Sequence, residues 1–325
     1  MSAENENSVY EAPDFEALES PYESELRLGL IESVRKIKLE GVPFAERVPG
    51  LNLSYIETAQ SVPNCFYVLS AALILQGTKQ LMIGGRMYRY GTGSMIITSV
   101  DMPTSYELVD VRPSRPFVSL SLRLNPAIIA ELLSEQPQAA ESCREVFGIE
   151  RPNRDLLEDF ERLLRLLRTP AQLKVRAPMV IRDIHCLALA GNAGQCLRAL
   201  YAPGAPGQRI RKVIRWLREN FREPVTIKEM AEIASMAPTT LHRHFKEFTS
   251  LSPMQYQKRL RLYEAQQFLL RGEGDVNTAA YAVGYKSPQQ FNRDYRRLFG
   301  VPPGKNIRAQ RERLQQVEEQ DPSRP

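Results

Sequence analysis

An internal repeat between Thr226 and Pro303 constrains the fold of this chain more than any other feature of its sequence. Its two copies align at an offset of 49 residues in their first halves and 50 residues in their second halves. The aligned pairs are Ala231 with Ala280, Ala234 with Val283, Pro238 with Pro288, Leu241 with Phe291, Arg243 with Arg293 and Phe245 with Tyr295. Each copy contains a short helical pattern, a tight turn and a second pattern whose apolar residues recur at i, i+4 and i+7. The repeat therefore predicts two helix-turn-helix units, at about residues 226–249 and 275–299.

Capping residues mark where these helices begin. The segment Thr226-Ile227-Lys228-Glu229 has the form of a capping box, and Asp275 stands at the equivalent start in the second copy. Ser287 precedes a proline, which gives an N-cap followed by proline at N1, whereas Ala237 offers no side-chain oxygen for the same role. Gly284 falls in the second turn, where glycine takes a positive φ without strain. These signals predict that the second helix of each unit, here called its recognition helix, starts at a proline.

Each recognition helix carries a polar stripe beside its apolar residues. The predicted DNA-binding residues are Thr239, His242, Arg243 and Lys246 in the first helix, and Ser287, Gln289, Gln290, Arg293, Arg296 and Arg297 in the second. Arginine can hold guanine O6 and N7 with two hydrogen bonds, glutamine can do the same to adenine, and further cations neutralise phosphates. A solvated helix face is the alternative, and it is the better interpretation of any single stripe. Two stripes on repeated helix-turn-helix units favour DNA.

The same half of the chain, from about Arg209 to Arg308, resembles the DNA-binding domain of AraC/XylS-type bacterial transcription regulators. The residues that carry the resemblance are Met236-Ala237-Pro238-x-x-Leu241-x-Arg243-x-Phe245-Lys246, Ser252-Pro253-x-x-Tyr256, Arg259-Leu260-Arg261-Leu262, Ala280-x-x-Val283-Gly284-Tyr285-x-Ser287, Phe291-x-Arg293-x-Tyr295-Arg296 and Phe299-Gly300-Val301-Pro302-Pro303. One departure is Asn306, because the family often has tyrosine shortly after the final proline. The resemblance implies two helix-turn-helix units joined by a long central helix, sequence-specific binding of promoter DNA in the major groove, and RNA polymerase as a partner.

Charge is divided unevenly along the 325 residues. Residues 206–325 carry 22 Lys and Arg against 13 Asp and Glu, a net charge of +9. Residues 1–205 carry 21 against 25, a net charge of −4. A chain of this length can bury two cores, and a basic half beside an acidic half points to nucleic acid as the target of the basic half alone.

The sequence predicts a cytoplasmic protein. No run of about eighteen apolar residues occurs, and the N-terminus is polar and acidic, so neither a membrane span nor a signal peptide is expected. The four cysteines, Cys65, Cys143, Cys186 and Cys196, form no C-x-x-C pair and no dense disulfide framework. This cysteine usage fits a reducing compartment.

The N-terminal half has a different periodicity. Between residues 48 and 124, short apolar segments alternate with glycine turns, among them a predicted hairpin turn at Gly84-Gly85, and this pattern suggests a small barrel. The segment resembles the cupin-type N-terminal domain of one branch of AraC-type regulators. The residues that carry this second resemblance are Gln76-Gly77-x-Lys79, Gly84-Gly85-x-x-Tyr88-x-Tyr90, Gly93, Ser99-Val100-Asp101-x-Pro103 and Arg115-Pro116-Phe117. It implies an effector-binding or dimerisation domain.

The predicted fold class is α+β, with an N-terminal cupin-like β-barrel and flanking helices and a C-terminal all-α double helix-turn-helix domain. The predicted segments are a disordered acidic tail at 1–22, the cupin-like domain at 23–201, a linker at 202–208, the DNA-binding domain at 209–316 and a disordered tail at 317–325. Helices are predicted from Asn125 to Ser134, Asp155 to Leu167 and Val175 to Leu200. Within residues 125–200 these helices either pair two chains into a homodimer or cover the barrel, since an amphipathic helix must bury its apolar side.

Two further function classes compete with a regulator. Many cupin barrels are metal enzymes that use clustered histidines, but His185, His242 and His244 all follow the barrel, so no metal, cofactor or catalytic residue is predicted. An architectural or RNA-binding module would bind nucleic acid with little sequence preference, although the chain lacks the aromatic platforms typical of RNA binding.

Cys65 is the candidate effector residue. It stands at the entrance to an apolar strand, where a reactive small molecule could be trapped. The alternative is a cysteine that packs as a small hydrophobe, which is the better interpretation in the absence of a lowered thiol pKa. The sequence thus leaves open whether the N-terminal domain binds a small molecule, reacts with an electrophile or does neither.

Overall fold

The computed structural model describes residues 9–83, 86–135, 147–205 and 207–319. They form two compact units, whose main boundary lies between Gln208 and Arg209, and the short segments 63–66 and 102–105 of the N-terminal sheets are grouped with the second unit. The first unit holds two β-sheets with flanking helices, and the described residues from Arg209 onward are helical or lie in short turns. The α+β class predicted from the sequence is confirmed.

Two five-stranded sheets form the centre of the first unit within the described residues. Their strands are β1 (Val9–Glu11), β2 (Leu51–Ile56), β3 (Ser61–Tyr67), β4 (Ser70–Gln76), β5 (Thr78–Ile83), β6 (Arg86–Gly91), β7 (Ser94–Thr98), β8 (Met102–Val109), β9 (Phe117–Arg123) and β10 (Phe147–Glu150). One sheet has the order β1-β6-β5-β8-β3 and the other β10-β7-β4-β9-β2. β5 and β6 pair antiparallel, as the predicted hairpin requires, while its turn at Gly84-Gly85 lies outside the described residues.

Alternating side chains fill the space between these sheets. Ile96 of β7 and Phe117 of β9 are buried, as is Leu81 of β5. The rings of Tyr88 in β6 and Phe147 in β10 have centroids 5.4 Å apart, so the sheets also touch at this edge. The strand β10 was not predicted, because its four residues show too little alternation to reveal a strand.

Six helices flank the sheets in the described part of this unit, and one of the helix predictions was wrong in extent. The helices are α1 (Pro21–Leu39), α2 (Phe44–Arg47), α3 (Pro126–Glu135), α4 (Arg154–Leu166), α5 (Pro170–Ala190) and α6 (Gln195–Tyr201), with a 3₁₀ helix at Glu16–Leu18. The single helix predicted from Val175 to Leu200 is two helices. The chain turns tightly between them, since a Cβ on Gly191 would lie 2.0 Å from Glu150 Oε1 and one on Gly194 would lie 2.4 Å from the Ala188 carbonyl oxygen.

The prediction of a disordered tail at residues 1–22 was wrong from Val9 onward, whereas residues 1–8 lie outside the described part. β1 pairs in parallel with β6, and the 3₁₀ helix and the start of α1 follow it. The guanidinium of Arg27 binds Glu19 at 2.8 Å and Glu16 at 3.0 Å, and it also donates to the Leu75 carbonyl at 3.0 Å. These acidic residues are therefore neutralised by a cation on the following helix, a pairing that composition alone does not reveal.

The start of α1 is held by a second ionic contact. Ser20 and Glu23 form a capping box, in which each side chain accepts a hydrogen bond from the other residue's backbone N–H. Arg151 donates to the Glu23 carboxylate as well. This hydrogen bond, with the two from Ser20, lowers the pKa of Glu23 to about 2.

Seven helices make up the second unit within the described residues. They are α7 (Gly207–Glu219), α8 (Ile227–Ala234), α9 (Pro238–Thr249), α10 (Pro253–Leu270), α11 (Val276–Ala282), α12 (Pro288–Phe299) and α13 (Pro303–Glu319). The long central helix that the family resemblance implied is α10, and Ser252 caps it by accepting from the Gln255 N–H. Residues 317–319, which were predicted to begin a disordered tail, are helical, and residues 320–325 lie outside the described part.

Candidate DNA-recognition surface

The first helix-turn-helix unit consists of α8 and α9. Thr226 caps α8, since its hydroxyl accepts from the Glu229 N–H at 3.2 Å while the Glu229 carboxylate accepts from the Thr226 N–H at 2.7 Å. The predicted capping box is therefore confirmed. Ala237 begins α9 without a side-chain cap, also as predicted. Leu241 and Phe245 are fully buried, which fixes the face that α9 turns away from solvent.

The opposite face of α9 is the first polar stripe. Thr239, His242, Arg243 and Lys246 are all exposed, at helical positions that differ by three or four residues and so share one side. His244 does not belong to this face. Its Nδ1 lies 3.0 Å from Glu247 Oε2, and the ring is half-buried.

The second unit, α11 and α12, repeats this arrangement with a tighter turn. Asp275 caps α11 by accepting from the Thr278 N–H at 2.7 Å. Gly284 has a φ of +87°, as predicted, and a Cβ there would lie only 1.9 Å from the Arg222 carbonyl oxygen. Glycine is therefore required twice over at this turn, by its backbone conformation and by the close approach.

The second polar stripe lies on α12. Phe291, Tyr295 and Phe299 are buried in the core of this unit. Exposed residues on the same helix are Gln289, Gln290, Arg293, Arg296 and Arg297. Ser287 is half-buried and acts as the N-cap, because its hydroxyl accepts from the Gln290 N–H at 3.4 Å. Its hydroxyl proton remains able to donate.

The single acidic residue of α12 is neutralised by the central helix. Asp294 Oδ1 lies 2.6 Å from Lys258 Nζ, and Asp294 Oδ2 accepts from the Tyr285 hydroxyl at 3.4 Å. The Asp294 side chain is largely buried. Its negative charge is therefore paired on the inner side of the helix, and the exposed stripe carries arginine and glutamine only. Sequence reasoning missed Lys258 because its partner is 36 residues away.

Asn306 joins three helices. Its Oδ1 accepts from Gln266 Nε2 of α10 at 2.9 Å, from the Tyr295 hydroxyl of α12 at 2.9 Å and from Gln310 Nε2 of α13 at 3.2 Å. The family resemblance marked Asn306 as a departure from a common tyrosine. In this chain the asparagine satisfies the polar atoms of two buried side chains, Gln266 and Tyr295, and so holds the second recognition helix against the central helix.

Cys65, the candidate effector residue, lies in β3 of the N-terminal sheets and is half-buried. A second polar group lies inside these sheets. Lys79 shares the inner face of β5 with Leu81, and its Nζ lies 3.9 Å from the ring centroid of Tyr106 and 5.0 Å from that of Tyr67. A cation among aromatic rings on an inner face is suited to holding an anionic or aromatic small molecule. The sequence resemblance had marked Lys79 only as part of a motif.

Within residues 9–83, 86–135, 147–205 and 207–319, no group of three or more His, Cys, Asp and Glu side chains is arranged to hold a metal ion. In the same ranges no helix combines the length and the apolar character needed to cross a membrane.

Two family models match the chain, in the order that the structure suggests. Residues 47–196 match the model described as AraC-type transcriptional regulator N-terminus, which covers most of the sheets and α3 to α5. Residues 230–309 match the model described as helix-turn-helix domain, which covers both repeated units.

Relatives from bacteria are similar over part of the chain. The HTH-type transcriptional activator RhaS of Pectobacterium atrosepticum is 31% identical over 126 residues, 39% of this chain and 41% of the relative. RhaS of an Enterobacter species is 34% identical over 95 residues, 29% of this chain and 34% of the relative. The matched region thus spans no more than about two fifths of the length of these relatives.

Solved structures share the fold over more of the chain. ToxT from Vibrio cholerae O395 superposes with a TM-score of 0.52 at 12% identity and covers 79% of this chain and 96% of ToxT. ToxT bound to (E)-4-(8-methylnaphthalen-1-yl)but-3-enoic acid superposes with a TM-score of 0.55 at 11% identity, over 79% of this chain and 97% of ToxT. At these identities the likeness concerns the fold. With both family models matched in sequence order and the RhaS activators as relatives, the protein belongs to the AraC family of transcriptional regulators.

Proposed function

We propose that the protein is a sequence-specific DNA-binding transcription factor that regulates bacterial promoters by placing α9 and α12 in successive major grooves. The observation that carries this proposal is the pair of recognition helices, α9 and α12, which carry exposed Arg, Gln and Lys stripes and stand before and after one central helix in the chain. The 18 residues of α10 span about 27 Å at 1.5 Å per residue. Recognition helices on the two sides of such a helix suit grooves about 34 Å apart.

Within the two stripes we assign different tasks to the charged residues. Arg293 lies one turn into α12, where the N-terminal part of a recognition helix meets base edges, and we assign it to guanine. Arg296 and Arg297 lie in the last turn and are assigned to phosphates. By the same reasoning Thr239, His242 and Arg243 approach bases in the first half-site, and Lys246 approaches the backbone.

The test is selection of genomic fragments by the full-length protein, followed by affinity measurements on the best fragment and on a scrambled version at two salt concentrations. A specific-to-nonspecific ratio of about 10³ or more is expected for a regulator. A ratio near one, with binding lost as salt rises, is the result expected of an architectural or RNA-binding module and would contradict the proposal. Since the family consists of regulators, we propose a regulatory and not an enzymatic role, acting in the cytoplasm on promoters together with RNA polymerase.

Homodimer formation through the helices of residues 125–200 is a further part of the proposal. On α5, Val175 and Met179 are 66% and 68% exposed and lie one turn apart, which makes an outward apolar strip of the kind buried in interfaces. Sedimentation of the full-length protein tests this. Val175→Glu together with Met179→Glu should convert a dimer to a monomer, while Lys174→Glu on the same helix should not; a wild-type monomer at all concentrations would exclude the dimer.

We also propose that a small molecule or an electrophile acts through the N-terminal sheets, whose strands carry both Lys79 and Cys65. Structures of ToxT, which shares the fold, hold an unsaturated fatty acid or a naphthalenyl butenoic acid. In this chain Lys79 with its surrounding rings and the half-buried Cys65 are the groups that suit such ligands. Alkylation of the native protein decides the electrophile version: Cys65 must react faster than a denatured-state thiol, and an equal or slower rate would rule that version out.

A further inference from the structure

In the C-terminal half of the chain, backbone carbonyl groups from two segments that are distant in sequence converge on one arginine of the central helix. Arg261 Nε donates to the Phe221 carbonyl at 2.5 Å, and its Nη2 donates to the carbonyls of Glu223 at 2.8 Å and Arg222 at 3.1 Å. On the other side, Nη1 donates to the Gly284 carbonyl at 3.1 Å. One planar guanidinium therefore serves four carbonyl oxygens, which its fixed fork of donors allows and a lysine cannot match.

The two parts belong to different helix-turn-helix units. Residues 221–223 lead from α7 into the cap of α8 and so into the first unit, whereas Gly284 forms the turn of the second unit. The two stretches lie against each other, because the Cα of Gly284 approaches the Arg222 carbonyl so closely that a Cβ would be 1.9 Å from its oxygen. Arg261 thus joins the first helix-turn-helix unit, the central helix and the second helix-turn-helix unit at the place where these two helix-turn-helix units meet.

A neighbouring residue shares one side of this arrangement only. Gln257, one turn earlier on α10, donates to the Phe221 carbonyl at 3.0 Å and to the Glu223 carbonyl at 2.9 Å. The lead-in to the first unit is therefore held twice, by Gln257 and by Arg261. In the described residues, the Gly284 carbonyl receives its side-chain hydrogen bond from Arg261. Loss of Arg261 would remove the side-chain hydrogen bond to the turn of the second helix-turn-helix unit, while Gln257 would still hold the lead-in to the first helix-turn-helix unit.

We propose that Arg261 is a positioning residue that fixes the orientation of α12 relative to α9 and thereby sets the spacing between half-sites that the protein accepts. This inference rests on the proposed DNA-binding function. Its physical basis is that one inserted base pair moves the second half-site by about 3.4 Å along the duplex and rotates it around the axis, so a rigid pair of recognition helices rejects the altered site. A pair of recognition helices whose relative orientation is less fixed should bind the altered site with a smaller loss of affinity.

The experiment uses the full-length protein, the selected operator, and versions with one base pair added or removed between the two half-sites, together with duplexes that carry one half-site only. The wild type should lose about tenfold or more in affinity for either altered spacing. The Arg261→Gln variant should lose less than about threefold in affinity when one base pair is added or removed, while its affinity for a single half-site stays close to that of the wild type. Gln257→Ala is the matched control, and it should keep the sharp wild-type spacing preference even though it removes two partly buried hydrogen bonds.

The outcomes separate the inference from a general effect on folding. If Arg261→Gln keeps the wild-type spacing profile, or if it weakens every duplex including the single half-site by the same factor, the inference is wrong. Should Arg261→Gln fail to fold, Arg261→Lys replaces it, and an unchanged spacing profile in that variant is equally decisive, because one ammonium cannot reach all four carbonyls. Failure of the proposed function itself is distinguishable, since the wild type would then show no preference for a half-site over scrambled DNA.

Discussion

Gly284 offers the sharpest test of how the turn of the second helix-turn-helix unit is built. Its φ of +87° is strained for any residue with a Cβ, and the Cβ of alanine would be 1.9 Å from the Arg222 carbonyl oxygen. The left-handed conformation alone costs about 1–2 kcal/mol. Relieving the overlap requires a backbone shift, for which overpacked sites suggest about 1–3 kcal/mol more. Gly284→Ala should therefore lower the free energy of unfolding of the C-terminal compact unit by about 2–5 kcal/mol.

Two other glycines of the C-terminal compact unit provide graded controls. Gly300 has a φ of +77° but no atom within 4 Å of the Cβ position, so Gly300→Ala should cost the conformational term alone, about 1–2 kcal/mol. Gly304 lies in the first turn of α13 without a positive φ and with open space around it. Gly304→Ala should stabilise by about 0.4–1 kcal/mol, because it restricts the unfolded chain without strain in the folded one.

Fluorescence of Trp216 is the assay, because this is the chain's one tryptophan and it lies in α7 of the second unit. Urea unfolding of the full-length variants, followed by the fluorescence of Trp216, reports the free energy of unfolding of the C-terminal compact unit separately from that of the N-terminal compact unit. The expected order of stability is Gly304→Ala, wild type, Gly300→Ala, Gly284→Ala. Equal losses for Gly284→Ala and Gly300→Ala would show that the approach to Arg222 is not a real constraint.

The remaining predictions concern charge. Arg293→Ala should cost about 1–3 kcal/mol at one base pair of the operator, whereas Arg296→Ala should weaken all sequences alike and reduce the salt slope by about one; equal losses on operator and random DNA for both would contradict this division. Lys258→Met should weaken DNA binding, because it leaves the Asp294 carboxylate uncompensated, and Asp294→Asn in the same chain should restore it; no rescue would mean that Lys258 acts in another way. Because the folded-state pKa of Glu23 is about 2 against an ordinary 4.5, its stabilisation is complete above pH 4.5 and is lost as the pH falls towards 2. The stability difference between wild type and Glu23→Gln should therefore shrink across that interval in acid unfolding of the first unit, and a constant difference would refute the assignment.

Local signals in the sequence were sufficient for the DNA-recognition half. A capping box joins residues three apart, and an amphipathic helix repeats at three and four residues. Thr226 and Ser252 therefore mark helix starts within a few residues of sequence, and the apolar positions of α9 and α12 mark the buried faces of those helices. The conformation of Gly284 also followed from its place in a repeated turn. The exposed stripes were predicted for the same reason, because the buried face of a helix determines the opposite one.

Only the tertiary structure decided the contacts between elements. The strand β1 forms because β6 offers it an edge and Arg27 neutralises the acidic residues after it, neither of which the composition of the tail reveals. Lys258 and Arg261 look in sequence like ordinary charges on a long helix, yet one pairs with Asp294 and the other serves four carbonyls, with partners 23 to 40 residues away. Side chains in a helix fix their near neighbours by spacing alone, whereas distant partners are fixed only when the helices have packed. The sequence by itself thus determined which faces of α9 and α12 are polar and exposed, and the packing of the helices determined how those two faces are oriented.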